Sequence, residues 1–257
     1  MRVLVTGGAN GIGRAAAEEL LEEGHNVKVY DRDAEALQEL PEGMEGYVGD
    51  VRDGERVEEV MGEAEFDVLV NDAGYQAMGA VEDMPVEEAR KHFETNVLGT
   101  WNVTREALPT LREREGRIVN VSSLAGRVAA PFLAAYCSSK HAVEGFSDSL
   151  RRELMGTGVD VVVVEPGPVR TGFNEDGRSR LEEYLPESFY SEVYRRILRK
   201  PVTGVSPERA GKVVARAATE TRPRTRYTVT WQAWLAPKLQ KLVPTRLMDV
   251  IARRAQT

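Results

Sequence analysis

Arg2 to Thr6 is a short β-branched run, TGGANGIG follows without a spacer, and Ile12 to Glu23 then carries apolar residues at helical spacing. Strand, glycine-rich turn, helix is how a βαβ unit begins, and this constrains the chain more than any composition value does. Gly7, Gly11 and Gly13 let the backbone bend tightly and approach a pyrophosphate, while amides at a helix start face the negative charge. The spacing is G-x-x-x-G-x-G rather than the commoner G-x-G-x-x-G. A plain loop is the alternative, and the flanking strand and helix favour nucleotide binding.

The alternation then continues along the chain. Asn26 to Tyr30 reads as a second strand ending in Asp31, and Glu45 to Gly49 as a third, closed by Asp50 and Val51. A charged helix, Gly54 to Glu63, leads to strand Phe66 to Val70 and the NDAG turn, Asn71 to Gly74. A long helical region from about Pro85 to Leu108 carries Asn96, an unfavourable mid-helix residue that signals a local side-chain role or a bend. Arg117 to Val121 is the fifth strand and delivers Ser122 and Ser123; Tyr136 to Leu154 is an amphipathic helix. Asp160 to Glu165 is almost all valine, the pattern of a strand buried on both faces, and runs into PGPVRT, Pro166 to Thr171. Tyr227 to Thr230 reads as the last strand. The expected architecture is a single-domain α/β fold: a Rossmann-type, doubly wound parallel sheet of about seven strands with helices on both faces. Its ligand crevice lies at the carboxyl ends of the strands, where every motif falls.

Asp31, roughly 20 residues beyond the glycines, is placed to accept hydrogen bonds from an adenosine ribose and to repel a 2′-phosphate, which favours NAD. Arg32 follows it and can pair with that phosphate, which leaves NADP open. Asp31 or Asp33 as a helix cap is the structural alternative. Residues 172–200 are polar and irregular with interleaved aromatics, a pattern for a flap over the crevice or for a surface insertion. The tail, 231–257, places Trp231, Trp234, Leu235, Leu239, Leu242, Val243, Leu247, Met248, Val250 and Ile251 among basic residues. Packing on its own domain is the first expectation for it; a membrane-surface helix, a dimer contact and a pocket wall are the others.

A net charge of -7 with dispersed basic residues argues against a nucleic-acid surface. The one cysteine, Cys137, excludes an intrachain disulfide, and with a strand at the first residues and no signal peptide ahead of it a reducing cytoplasm is expected. No apolar run approaches the ~20 residues of a membrane span. His25, His92 and His141 show no metal spacing, so no metal is expected.

Tyr136 and Lys140 stand four residues apart, on one face of a helix. A free phenol titrates near pH 10, and a neighbouring cation stabilises its phenolate, so the pair is a proton-transfer device if an upstream serine binds the reacting oxygen. An ordinary helix start with a surface lysine is the bland alternative.

TGGANGIG, NDAG, Asn96, Ser123, Tyr136, Lys140 and PGPVRT occur in this order, and together they resemble the short-chain dehydrogenase/reductase family from Met1 to about Thr230. YCSSKHAVEGFSDSLRREL followed by VVVVEPGPVRT is similar to the branch holding hydroxysteroid, retinol and hydroxybutyrate dehydrogenases. The resemblance implies hydride transfer between NAD(P) and a secondary alcohol or ketone of steroid-, retinoid- or lipid-like character, with Tyr136 as general acid/base. It implies that Lys140 binds the nicotinamide ribose and lowers the tyrosine pKa, and that Ser123, thirteen residues before the tyrosine, binds the substrate oxygen. Asn96 would hold a relay water. Cofactor contacts are expected from Thr6, Gly7, Asn10, Gly11, Ile12, Gly13, Asp31, Arg32, Asp50, Val51, Asn71, Ala73, Gly74, Tyr136, Lys140, Pro166, Gly167, Val169 and Thr171. NDAG departs from the usual NNAG at Asp72. A homodimer or homotetramer through the helices bearing Asn96 and Tyr136 is implied. A dinucleotide-sensing or scaffolding protein without turnover is the competing class, and a dehydrogenase held at a membrane surface is another.

Overall fold

Val3, Leu4 and Val5 are fully buried, and their alternation sends Val3 and Val5 to one face of a sheet and Leu4 to the other. The computed structural model describes the backbone of residues 1–256 and the side chains of all of these except 174–176, 241 and 251–256. Its first half runs β1 (Arg2–Thr6), α1 (Gly11–Glu22), β2 (Asn26–Asp31), α2 (Ala34–Gln38), β3 (Met44–Val48), α3 (Gly54–Glu63) and β4 (Val68–Asn71). Then come α4 (Val86–Phe93), a π-helical turn (Glu94–Gly99), α5 (Thr100–Glu113), β5 (Arg117–Val121), a 3-10 turn (Leu124–Gly126), α6 (Ala134–Glu153) and β6 (Asp160–Glu165). α7 (Gly172–Tyr184), α8 (Ser191–Arg199), α9 (Pro207–Thr219), β7 (Arg226–Thr228), α10 (Trp231–Leu242) and α11 (Thr245–Gln256) complete the chain.

The strands form one parallel sheet in the order β3-β2-β1-β4-β5-β6-β7, with Val3 registered against Val27 on one side and Val68 on the other. This is the Rossmann-type sheet that the alternation of elements predicts. Strand order reverses between β1 and β4, so the connections leave that boundary in opposite directions and open a crevice above the carboxyl ends. One face is closed by α1 and α9, where Gly211 lies so close that an added Cβ would stand 2.5 Å from the Ala15 carbonyl carbon. Leu4, Val57, Phe66, Leu69, Leu111, Ile118 and Leu150 fill the other face. Each such aliphatic or aromatic side chain stabilises the sheet by about 2 kcal/mol through burial.

Several expectations shift. The long helix expected from about Pro85 to Leu108 runs from Val86 to Glu113 and is broken by the π-helical turn at Asn96. β4 lies two residues later at its start than the apolar run suggests, and β7 begins at Arg226. Residues 172–200 are two helices rather than irregular chain. Leu181, Tyr194 and Ile197 pack with Met78 and Ala80 into a third apolar cluster, and the Tyr194 hydroxyl takes part by bonding both the Ala80 amide and Asp83. The tail is also helical, as α10 and α11; of its apolar residues, the Ile251 side chain lies outside the described residues.

Candidate active site

The turn after β1 is shaped by close approach. Gly7 has φ +68, and a Cβ there would stand 2.7 Å from Ala73 Cα; a Cβ on Gly13 would stand 2.4 Å from the Gly7 carbonyl oxygen. Backbone at this separation leaves no room for side chains, so a cradle remains open above the start of α1. Asn10 precedes α1 without capping it through its side chain, so the first-turn amides other than Gly13, whose amide pairs with Asp72, are left to an anion. The Asn10 amide instead donates to Asp33 at 3.1 Å.

A crevice of about 780 Å³ runs from this turn in both directions. On one side stand Asp31, Arg32, Asp50 and Val51. Asp31 accepts from the Ala9 and Asp33 amides, each at 3.0 Å, which holds its carboxylate at the end of β2 beside the glycine turn. Asp33, and not Asp31, caps α2, accepting from the Ala36 amide. Asp50 is gripped by Arg52, whose hydrogen bonds hold its carboxyl below the usual carboxylate range.

The NDAG turn forms the back wall. Its Asp72 and Ala73 amides donate to the Thr6 hydroxyl at 3.3 and 3.2 Å. Desolvation pushes the Asp72 carboxyl up to about 6, against the opposing pull of the Lys140 ammonium and the Gly13 amide. Asn71 turns away from the crevice: its side-chain amide donates to Thr104 at 3.1 Å and Asn120 at 2.9 Å, tying β4 to α5 and β5. Thr6, Gly13 and Asn71 therefore shape the cradle from behind, whereas Gly7, Asn10, Gly11, Ile12, Ala73 and Gly74 line it.

Asn96 is buried in the π-helical turn, accepting from the Tyr75 amide at 3.0 Å and donating to the Tyr75 carbonyl at 2.9 Å and to Ser139 at 3.3 Å. Its side chain is thus engaged in holding the NDAG turn against α6, and does not reach the crevice. One turn earlier, His92 is buried between the rings of Tyr75 (centroids 4.6 Å apart) and Tyr136 (6.0 Å), with no hydrogen bond to either ring nitrogen. Burial and the Lys140 charge pull it down to about 4, so it is neutral at physiological pH.

Ser123, Tyr136 and Lys140 meet at the far end. Ser123 caps the 3-10 turn, accepting from the Ala125 amide at 3.1 Å, and it lines the same crevice as Tyr136, whose phenol it pulls down against the effect of burial. Ser122 is buried, with its hydroxyl crowded toward Gly126, 2.7 Å from where a Cβ would stand. Lys140 Nζ donates to the Val121 carbonyl at 2.9 Å and lies 6.0 Å from the Tyr136 ring centre. Burial drives the phenol well above its ordinary value and pulls Lys140 down to about 8, with Asp72 and Glu144 resisting that fall. Desolvation is the largest influence on the phenol, with Ser123 opposing it and Cys137 and Asp72 adding to it. Cys137 is buried, and burial raises its thiol, which fits a packed side chain.

Pro166, Gly167, Val169 and Thr171 complete this end, where Val128, Ala129, Ala130, Leu133 and Phe173 give an apolar wall. The Phe173 ring meets Tyr136 edge-on at 5.8 Å. Tyr75, His92 and Phe173 escape motif reading; the visible signals are that Tyr75 directly follows NDAG and that His92 lies one helical turn before Asn96.

Residues 1–182 match the family model described as short chain dehydrogenase. The chain is similar to a probable short-chain type dehydrogenase/reductase, VdlC, of Helicobacter pylori, with 35% identity covering 97% of this chain and 96% of that one. It is also similar to an NADPH-dependent 3-dehydrocapnine reductase of Ornithobacterium rhinotracheale, with 33% identity over 96% and 94%. Among solved structures, a short-chain dehydrogenase from Burkholderia cenocepacia in complex with NADP superposes with TM-score 0.80 at 25% identity, covering 98% of this chain and 96% of that one.

Proposed function

This chain belongs to the short-chain dehydrogenase family, and on that premise we propose that it moves a hydride between a nicotinamide dinucleotide and an apolar secondary alcohol or ketone, with Tyr136 as general acid/base. That it is an NAD(P)-dependent dehydrogenase/reductase follows from membership. The convergence of Ser123, Tyr136 and the buried Lys140 on one crevice carries the finer reading. The uncapped start of α1 and the open glycine cradle fit a dinucleotide diphosphate, and the bound nicotinamide supplies the hydride acceptor or donor.

In oxidation Ser123 holds the substrate oxygen and Tyr136 takes its proton; in reduction the phenol returns it. Burial keeps Tyr136 protonated in the ligand-free site, so proton acceptance depends on positive charge gathered beside it, from Lys140 and from the oxidised cofactor. Lys140, tethered at Val121, is also positioned for the ribose hydroxyls. Support for an apolar substrate comes from Val128, Ala129, Ala130, Leu133 and Phe173, which line the same crevice as the tyrosine.

The preference proposed for NAD rests on Asp31, which is held rigidly by two amides at the adenosine end; Arg32 is the group that would admit NADP. The chain works as one nucleotide-binding domain, with α7 and α8 covering the substrate end. Self-association is assigned to the α4 to α6 face, where Leu98 and Trp101 are exposed and Trp101 lies against Phe146 at 5.3 Å. Steroid, retinoid, fatty and sugar alcohols offered with NAD and with NADP, read by absorbance of the reduced cofactor, test the proposal. Turnover confined to the sugars contradicts the apolar assignment.

A further inference from the structure

α10 packs on the body through one narrow face and leaves the other open. Thr230 caps it, accepting from the Ala233 amide at 3.3 Å, and Gly167 of the crevice turn fits so closely under Thr230 that a Cβ there would stand 2.2 Å from its hydroxyl oxygen. The helix therefore starts at the substrate end of the crevice. Ala233, on the inner face, is 1% exposed. Trp231, Trp234, Leu235, Lys238, Leu239 and Leu242 follow at spacings of three and four, which gathers them into a single stripe. Within that stripe Trp231 is 67% exposed, Trp234 56% and Leu242 81%. α11 adds exposed Leu247 and Val250.

Charge separates with this stripe. Residues 231–257 contain five basic side chains, Lys238, Lys241, Arg246, Arg253 and Arg254, against one acid, Asp249, for a net +4. The whole chain carries -7, so residues 1–230 carry -11. The segment that exposes two tryptophans is thus net basic on a chain that is acidic as a whole, and the Lys238 ammonium rests 3.3 Å from the Trp234 ring centre. Indole rings with lysines beside them suit the boundary between water and lipid, the ammonium reaching headgroups while the rings enter the acyl edge. No helix among the described residues is long and apolar enough to cross a membrane, so contact would be with a surface.

We propose that the α10–α11 tail docks on an anionic lipid bilayer surface. A second copy of this chain is the rival occupant, but the exposed apolar face assigned to self-association lies on the α4 to α6 side, and the indole and ammonium pairing at Trp234 and Lys238 suits a lipid headgroup layer. Docking would bring the crevice end at Gly167 and Thr230 close to lipid, where an apolar alcohol partitions. Docking requires no turnover at Tyr136.

The test is co-sedimentation of the full chain with vesicles of phosphatidylcholine alone and of phosphatidylcholine mixed with phosphatidylglycerol. Two variants are compared, Trp231→Ala/Trp234→Ala and Lys238→Glu/Arg246→Glu, each first shown to bind NAD(H) like the unaltered chain by cofactor fluorescence. The expected result is recovery with phosphatidylglycerol vesicles at least tenfold above phosphatidylcholine, falling on added salt, and a tenfold loss in either variant. Equal recovery from both vesicles, recovery unaffected by the variants, or conversion of a dimer to a monomer by the tryptophan variant without any vesicle binding would each overturn it.

Discussion

The Nζ of Lys140 on α6 donates to the carbonyl of Val121, the last residue of β5, at 2.9 Å. The strand that ends in the Ser122-Ser123 pair and the helix that carries Tyr136 are thereby fixed to each other at the point where both reach the crevice. Lys140→Ala is expected to loosen this joint and remove the ammonium together, reducing turnover by roughly 10²-fold or more and weakening NAD(H) binding. Cofactor titration checks the second effect, and unchanged affinity would remove Lys140 from the ribose role.

Asp72 couples electrostatically to both members of the pair, raising Tyr136 and raising Lys140. Replacing it by Asn removes that negative charge while keeping a group of the same shape. Both ionisations are then expected at lower pH, so the pH profile of alcohol oxidation for Asp72→Asn should move toward acid by roughly one unit. A profile superimposable on the original would mean that Asp72 is already neutral when the site turns over.

His92 sets an acid limit on the fold. Its folded value of about 4 lies below the ordinary 6.5, so the unfolded chain binds the proton first as pH falls. The stability it contributes is complete above pH 6.5 and is lost as pH drops from there toward 4, at a total on the order of 3 kcal/mol. Asp72 works in the opposite sense, since its folded value of about 6 lies above the ordinary 3.8. Denaturant unfolding of His92→Gln against the unaltered chain isolates the histidine: the stability gap between them should shift in favour of the variant below pH 6.5. Parallel curves would contradict the buried, unpartnered placement.

Cofactor choice is expected to turn on Asp31. Asp31→Ser removes the charge that opposes a 2′-phosphate and leaves Arg32 beside the site, so NADPH affinity should rise at least tenfold relative to NADH. If the unaltered chain already binds NADPH more tightly in fluorescence titration, Arg32 outweighs Asp31 and the NAD preference is wrong.

The β-branched runs of β1, β5 and β6 are legible because strands buried on both faces are rich in valine and isoleucine, and their bounds agree with the pattern; the buried Arg117 and Asn120 of β5 are the polar exceptions, each held by hydrogen bonds. The glycine turn is legible because it needs a positive φ at Gly7 and backbone contact at Gly13, which other residues do not supply. Residues 172–200 mislead because their aromatics are interleaved among charged residues, yet Tyr194, whose hydroxyl bonds inside, and the partly buried Tyr184 join an apolar cluster with Met78 and Ala80 that only the fold assembles. Asn96 shows the limit of motif reading. Its oddity in a helix is visible in sequence, but its partners, Tyr75 and Ser139, are 21 residues upstream and 43 downstream and are joined to it only by the fold. His92 and Asp72 owe their shifted ionisation to burial, which no local pattern encodes.

In the proposed mechanism the Tyr136 hydroxyl carries the proton that accompanies hydride transfer. Tyr136→Phe keeps the ring that packs against Phe173 and His92 and deletes only the hydroxyl. Steady-state turnover of that variant, with NAD(H) binding measured alongside, is expected to fall by roughly 10³-fold or more while cofactor affinity stays within a few fold. Turnover near that of the unaltered chain would contradict the account.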